Sequence, residues 1–229
     1  MALRRILALL FLAIIASTAR PVFAHRNLSD GNLFVAETDS FMNALLAQLP
    51  EIPSVAIAVV LDDQVVLTRG YGTADRERHI PASDETIYYI ASATKPFTAL
   101  AAALLDERGT LDLDSSLASH LTDSPMNPQL IAQGVTLRDL LSHTSGLEND
   151  PITTRLAYTG EHTPQQLWDL LSSTKANEAG AGNFQYTNFD YNLLTMILDH
   201  ERGIQWQDLL REEIFEPAGM KRTTAYASL

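Results

Sequence analysis

Residues 92–109 read SATKPFTALAAALLDERG. Phe97, Leu100, Ala101, Leu104 and Leu105 recur at helical spacing, and alanine fills most of the gaps. Such a pattern predicts a helix that is apolar all round and therefore buried, closed by Gly109 as its C-cap. Pro96 bears on where the helix begins. It lacks the N–H that would bond the carbonyl of Ser92, so the serine belongs at the very start. Backbone N–H groups and the positive end of the helix dipole gather there, which suits a developing oxyanion.

Ser92 and Lys95 are three positions apart, on one face of that helix. A serine hydroxyl is a poor nucleophile alone and needs a neighbouring base. A lysine one turn away fills that role when burial favours its neutral form. A lone Ser-x-x-Lys is common by chance, so the rest of the chain must carry the case.

Before the helix the sequence is strand-like. Ser54 to Val60 (SVAIAVV) is an unbroken apolar run, partly β-branched, and it predicts a strand buried on both faces. Asp62-Asp63 is a turn signal, and Gln64 to Thr68 (QVVLT) completes a hairpin. Arg69-Gly70-Tyr71-Gly72 reads as a glycine-punctuated turn and Thr86 to Ile90 as a short strand. Residues 25–40 show no clear period, and Phe41 to Leu49 reads as a short helix ending before Pro50. After Gly109 the main helical candidates are Thr136 to Leu141, Thr163 to Ser172, Phe189 to Asp199 and Trp206 to Phe215. Strands first and helices after imply a sheet lobe carrying a helical insertion, or an α+β domain seen in part, with part of a sheet lobe (25–91) and a mostly helical lobe (92–229).

Composition narrows the function classes. With 46% apolar and 19% charged residues the chain is globular rather than disordered. A net charge of −12 disfavours nucleic acid and anionic membrane surfaces as partners. There is no cysteine, which rules out disulfides, thiolate catalysis and a lipid-anchoring thiol. Arg4 and Arg5, the apolar run Ile6 to Ala16, and Val22-Phe23-Ala24 read as a signal peptide cut after Ala24. That predicts a periplasmic or secreted product with no membrane attachment after cleavage. No metal site or cofactor is expected, and the oligomeric state stays open.

Two further segments can carry chemistry. Tyr186-Thr187-Asn188 follows the glycine-rich Ala179 to Gly182, and offers a phenol for proton transfer and a carboxamide for orienting a substrate. Read alone, the favoured reading is an Asn helix cap beside a packed tyrosine. His143, in Leu140-Leu-Ser-His-Thr-Ser-Gly-Leu147, invites a Ser-His-Asp triad, but the chain has no Gly-x-Ser-x-Gly elbow. His143 is therefore read as a structural histidine in a tight loop.

In this order the segments resemble the serine β-lactamase and penicillin-binding-protein superfamily, in its class C-like branch. Ile52 to Gly72 is similar to the family's first hairpin, and Thr86 to Thr98 to its nucleophile segment. Val135 to Leu147 is similar to its Thr-Leu-x-x-Leu-Leu-x-His-Thr-Ser-Gly-Leu signature. Phe184 to Leu194 resembles its Tyr-Ser-Asn segment with Thr187 for Ser, and Ile214 to Thr223 its Pro-Leu-Gly-Met run with Ala218 for Leu. The resemblance implies that Ser92 is acylated, that Lys95 assists its deprotonation, that Tyr186 relays a proton, and that Asn188 orients substrate and Lys95. These groups should converge in a cleft between the two lobes.

The substrate implied is a β-lactam, peptide or ester carbonyl. The family also has a late Lys-Thr-Gly or His-x-Gly strand, and neither pattern occurs here; Tyr158-Thr159-Gly160 stands too early. The expectation is an N-terminal portion of the domain, with the C-terminal strands missing, an unpaired outer edge on Ser54 to Val60, and weak activity. The alternatives are a non-catalytic relative that binds peptidoglycan or serves as a scaffold, and an inactive fragment.

Overall fold

The computed structural model describes residues 31–120, 134–148, 163, 165, 166, 169, 174–176 and 180–226. The signal-like segment, Tyr158 to Gly160 and most of Thr163 to Ser172 lie outside the described residues. Two compact units divide between Thr86 and Ile87.

The first unit contains helix α1 (Gly31–Gln48) and an antiparallel sheet of β1 (Ser54–Leu61), β2 (Gln64–Asp75) and β3 (Ile80–Pro81), in the order β1-β2-β3. Asp62 and Asp63 both adopt positive φ, 47° and 60°, the backbone that two-residue hairpin turns require. The turn sets the register Leu61↔Gln64 and Val60↔Val65, and a bulge follows at Val59/Val60.

α1 is twice the length its apolar pattern suggested, because part of its docking is polar: Asp39 accepts from the Tyr71 hydroxyl (2.8 Å) and pairs with Arg69. β2 does not turn at Arg69 but runs on to Asp75. Its glycines answer to crowding by neighbouring backbone. A Cβ on Gly70 would lie 2.4 Å from the Ser83 nitrogen, and one on Gly72 2.3 Å from the Pro53 carbonyl oxygen.

β1 is not buried on both faces: Val55, Ile57 and Val59 are half-buried, while Ala56 and Ala58 are exposed. The outward positions carry small apolar residues, so a one-sided strand reads as a continuous apolar run. Among the described residues β1 pairs only with β2, and Val60 and Val65 at the hairpin end are 64% and 65% exposed.

Thr86 to Ile90 forms no strand, and Ile87 onward belongs to the second unit. A 3-10 turn (Ala91–Thr94) leads into α2 (Lys95–Glu107). Thr98, Ala101, Ala102 and Leu105 are buried, but Pro96, Leu100, Ala103 and Glu107 form an exposed stripe, so α2 is one-sided rather than dry all round. Short α3 (Leu117–His120) is tied through His120, which contacts Ser115 and pairs with Glu201.

α4 (Leu137–Ser142) opens with a capping box. Thr136 Oγ1 accepts from the Asp139 N–H (3.2 Å), and Asp139 accepts from the Thr136 N–H (2.9 Å). α5 (Asn188–Arg202) starts on Thr187, whose hydroxyl accepts from the Phe189 N–H, and stops at left-handed Gly203. α6 (Trp206–Leu210) passes into a π turn (Arg211–Phe215).

α5 buries Phe189, Leu193, Leu194, Ile197 and Leu198, a stripe at helical spacing, against Leu105, Leu137, Leu140, Leu147 and Leu209. A second cluster joins Ala101 to Leu210, Ile214 and Phe215, with Phe97 and Phe215 edge to face at 5.7 Å. These contacts fix α2 and α5, the two elements that carry the site.

Candidate active site

Ser92 lies in the 3-10 turn immediately before α2, and its carbonyl accepts from the Lys95 N–H. The residue before it, Ala91, is held at φ 46°. A left-handed non-glycine costs about 1–3 kcal/mol and persists only where the surroundings impose it. Nothing in the sequence signals this position, because alanine carries no preference for the left-handed region.

Lys95 Nζ donates to Asn188 Oδ1 at 2.6 Å and to Ser92 Oγ at 3.2 Å. The same nitrogen lies 5.0 Å from the ring centre of Tyr186 and 5.5 Å from that of Tyr191, so two aromatic faces hold the ammonium. The Tyr186 hydroxyl is 2.9 Å from Ser92 Oγ and 3.1 Å from Asn188 Oδ1. Ser92, Lys95, Tyr186 and Asn188 are thus linked in one hydrogen-bonded ring, and all four belong to the second unit. Ser92, Lys95 and Asn188 line a cavity of about 700 Å³ whose other walls include Tyr88, Trp206 and Tyr226.

The two phenols beside Lys95 are driven apart. Burial works to raise Tyr186, but the Lys95 ammonium and the Ser92 hydroxyl outweigh it and hold this phenol below the ordinary tyrosine value. Tyr191 is pushed up, first by burial and then by the charges of Asp190 and Tyr186. Its hydroxyl donates to the Leu141 carbonyl (3.0 Å). Environments that separate two like groups mark which one exchanges protons. Of the two, Tyr186 is the phenol whose ionised form is the more favoured.

His143 makes no hydrogen bond to Ser92. It sits in the left-handed region (φ 58°) at the end of α4, its ring 4.6 Å from the ring of Tyr186. Below it is a group that sequence reading missed. Asp190 is fully buried, accepts from the Ser145 hydroxyl at 2.5 Å, and approaches His143 Nδ1 at 3.4 Å. Burial, against the Ser145 hydrogen bond and with help from the charge of Asp139, lifts this carboxyl from 3.8 to about 7. The available signal was an acid inside the apolar stripe of α5.

The family model described as Beta-lactamase matches residues 42–228. Protein flp of Staphylococcus aureus strain MW2 is 32% identical over 180 residues, 77% of this chain and 36% of the relative. Penicillin-binding protein 4* of Bacillus subtilis strain 168 is 33% identical over 171 residues, again 36% of its length. The chain therefore spans little more than a third of these curated relatives. Among solved structures, the octameric penicillin-binding protein homologue from Pyrococcus abyssi has a TM-score of 0.70 at 29% identity, covering 82% of this chain and 43% of that one. The D-amino acid amidase from Ochrobactrum anthropi SV3 has a TM-score of 0.65 at 28% identity, covering 80% and 50%.

Proposed function

This chain belongs to the beta-lactamase family, and from that premise we propose a serine hydrolase that forms an acyl-enzyme on Ser92. The observation that carries the reading is the approach of the Tyr186 hydroxyl to Ser92 Oγ, 2.9 Å, with Lys95 Nζ 3.2 Å from the same oxygen. The phenol, favoured in its ionised form by Lys95, takes the Ser92 proton as Oγ bonds to the substrate carbonyl carbon. The tetrahedral intermediate collapses by breaking the bond to the leaving nitrogen or oxygen, which receives that proton from Tyr186. Water then attacks the ester, using the same phenolate, and frees Ser92. Asn188 holds Lys95 in place and presents its amide to the substrate.

The substrate class is a β-lactam, a D-amino-acid peptide or amide, or an ester. A D-amino acid amidase among the structural neighbours supports the second. The proposal concerns acylation first. Residues 1–24 are proposed as a signal peptide that delivers a product beginning at His25 to the periplasm or medium; mass spectrometry of the exported protein tests this. No nucleic-acid partner is proposed.

Labelling with a fluorescent penicillin and with a fluorophosphonate tests the chemistry. Wild type should label and Ser92→Ala should not. Labelling that survives in Ser92→Ala would put the nucleophile elsewhere. Absence of labelling by both reagents in a folded chain would favour a non-catalytic, ligand-binding relative.

A further inference from the structure

Tyr186 reaches Ser92 from a loop, and a side chain of that length turns a small backbone rotation into a large displacement of its hydroxyl. One residue holds the backbone on both sides of it. The His143 carbonyl accepts from the Gln185 N–H at 2.9 Å. The His143 ring nitrogen Nδ1 accepts from the Thr187 N–H at 3.4 Å. Between these two bonds lies Tyr186, whose ring tilts against the His143 imidazole at 46° and 4.6 Å between centres. Phe184 meets the same imidazole edge to face at 6.1 Å, and Tyr191 packs on it at 5.2 Å. The next residue continues the clasp, with the Thr144 carbonyl accepting from the Gly182 N–H at 2.8 Å.

From this arrangement we propose that His143 is a positioning residue for Tyr186, gripping residues 185 and 187 and supporting the ring so that the hydroxyl stays on Ser92 Oγ. The inference rests on the acyl-enzyme reading above and adds a residue to it. His143 makes no hydrogen bond to Ser92, so in this proposal it acts through Tyr186. The grip needs an unprotonated Nδ1, since only then does the nitrogen accept the Thr187 N–H. The charged and titratable groups facing the ring are Lys95 from α2, Tyr186 from the loop before α5, and Asp190 and Tyr191 at the head of α5. Burial first, and then Lys95, hold the imidazole below its ordinary value and so favour the neutral ring that this acceptor requires. A misplacement of about 1 Å in such a group costs about 10²-fold in rate.

Two substitutions separate the parts of this role. His143→Asn keeps an acceptor near the Nδ1 position and a residue that tolerates the left-handed backbone, but loses the ring. His143→Phe keeps a ring and loses the acceptor. The full chain is labelled with [ζ-¹³C]tyrosine, the Tyr186 signal is assigned with Tyr186→Phe, and its titration is followed by NMR beside the rate of fluorophosphonate labelling. Circular dichroism and a urea midpoint verify folding, and His143→Leu, which also lacks the acceptor, replaces His143→Phe if the latter does not fold.

The expected result is a Tyr186 titration below the ordinary value in wild type, moved up toward it in His143→Phe with about 10²-fold slower labelling, and largely restored in His143→Asn. Folded variants that leave both the titration and the labelling rate at wild-type values would overturn the proposal, and so would equal losses in both variants. A wild-type Tyr186 that titrates at the ordinary value would overturn it too. A titration that follows His143 in a chain that never labels at Ser92 would leave the positioning role standing and remove the acyl-enzyme reading.

Discussion

Tyr186 and Ser92, 94 positions apart in the chain, meet at 2.9 Å between the phenol hydroxyl and Oγ. No local structure produces this contact. It needs α2 and α5 packed through Leu105, Leu193 and Leu194, and the loop before α5 clasped by the loop after α4.

The first prediction concerns that contact. A phenolate base works only when deprotonated, so labelling of Ser92 should accelerate as pH rises through the Tyr186 titration. Because that titration is lowered, the rate should level off below the ordinary tyrosine value of about 10. Tyr186→Phe should slow labelling by about 10²–10⁴-fold. A pH profile of fluorophosphonate labelling measures both, and a Phe variant that labels at the wild-type rate would dismiss Tyr186 as the base.

Lys95 is the second. Its ammonium is among the groups that bring the Tyr186 phenol down against burial. Lys95→Met removes it and leaves the burial, so the rising limb of the pH profile should move to higher pH. Lys95→Arg keeps the charge but replaces a compact ammonium with a wider planar fork, and should restore the limb only in part. An unmoved limb in Lys95→Met would show that Lys95 does not set the phenol's ionisation.

The site was legible in the sequence to the extent that its chemistry is local. Ser92 and Lys95 share a helix face, and Pro96 placed the serine ahead of α2, where the 3-10 turn puts it. Tyr186 and Asn188 stood out as residue types, but only the packed helices bring them to Ser92. The left-handed Ala91 and the buried pair Ser145–Asp190 left almost no trace, since strain and burial belong to tertiary structure. The fold was misread where a polar anchor or an outward apolar residue hid the period: Asp39 in α1, Ala56 and Ala58 in β1, and the exposed stripe of Leu100 and Ala103 in α2.

The third prediction separates backbone strain from crowding. Gly146 has φ 72°, and a Cβ there would lie 2.5 Å from the Ala181 nitrogen, in the loop that leads to Tyr186. Gly109 has a similar φ, 69°, with nothing within 4 Å of the same position. Gly109→Ala should lower stability by about 1–2 kcal/mol, the left-handed cost alone. Gly146→Ala should cost more than that and should also slow Ser92 labelling, because the loop must shift. Urea midpoints and labelling rates for the two variants test this, and equal stability losses with unchanged labelling would show that the close approach to Ala181 is not needed.

The last prediction follows from Asp190. Its carboxyl is lifted by burial from 3.8 to about 7 in the folded chain, so the folded state holds this proton to higher pH than the unfolded state does. Between pH 4 and pH 7 the folded chain therefore binds more protons at this site, and stability must fall as pH rises across that window. Below the window the contribution is fully present, and above it the loss is complete. Asp190→Asn cannot ionise, yet its amide oxygen can still accept from the Ser145 hydroxyl, so this slope should vanish. The difference in stability between the Asn variant and wild type should accordingly grow in favour of the variant from pH 4.5 to pH 7.5. Comparing the two proteins cancels the titration of the remaining acids, which a single pH curve of so acidic a chain would not do. Urea denaturation at those two pH values is sufficient. A difference that stays constant would mean that Asp190 is already ionised at the low end and that the Ser145 hydroxyl and its surroundings solvate the carboxylate well.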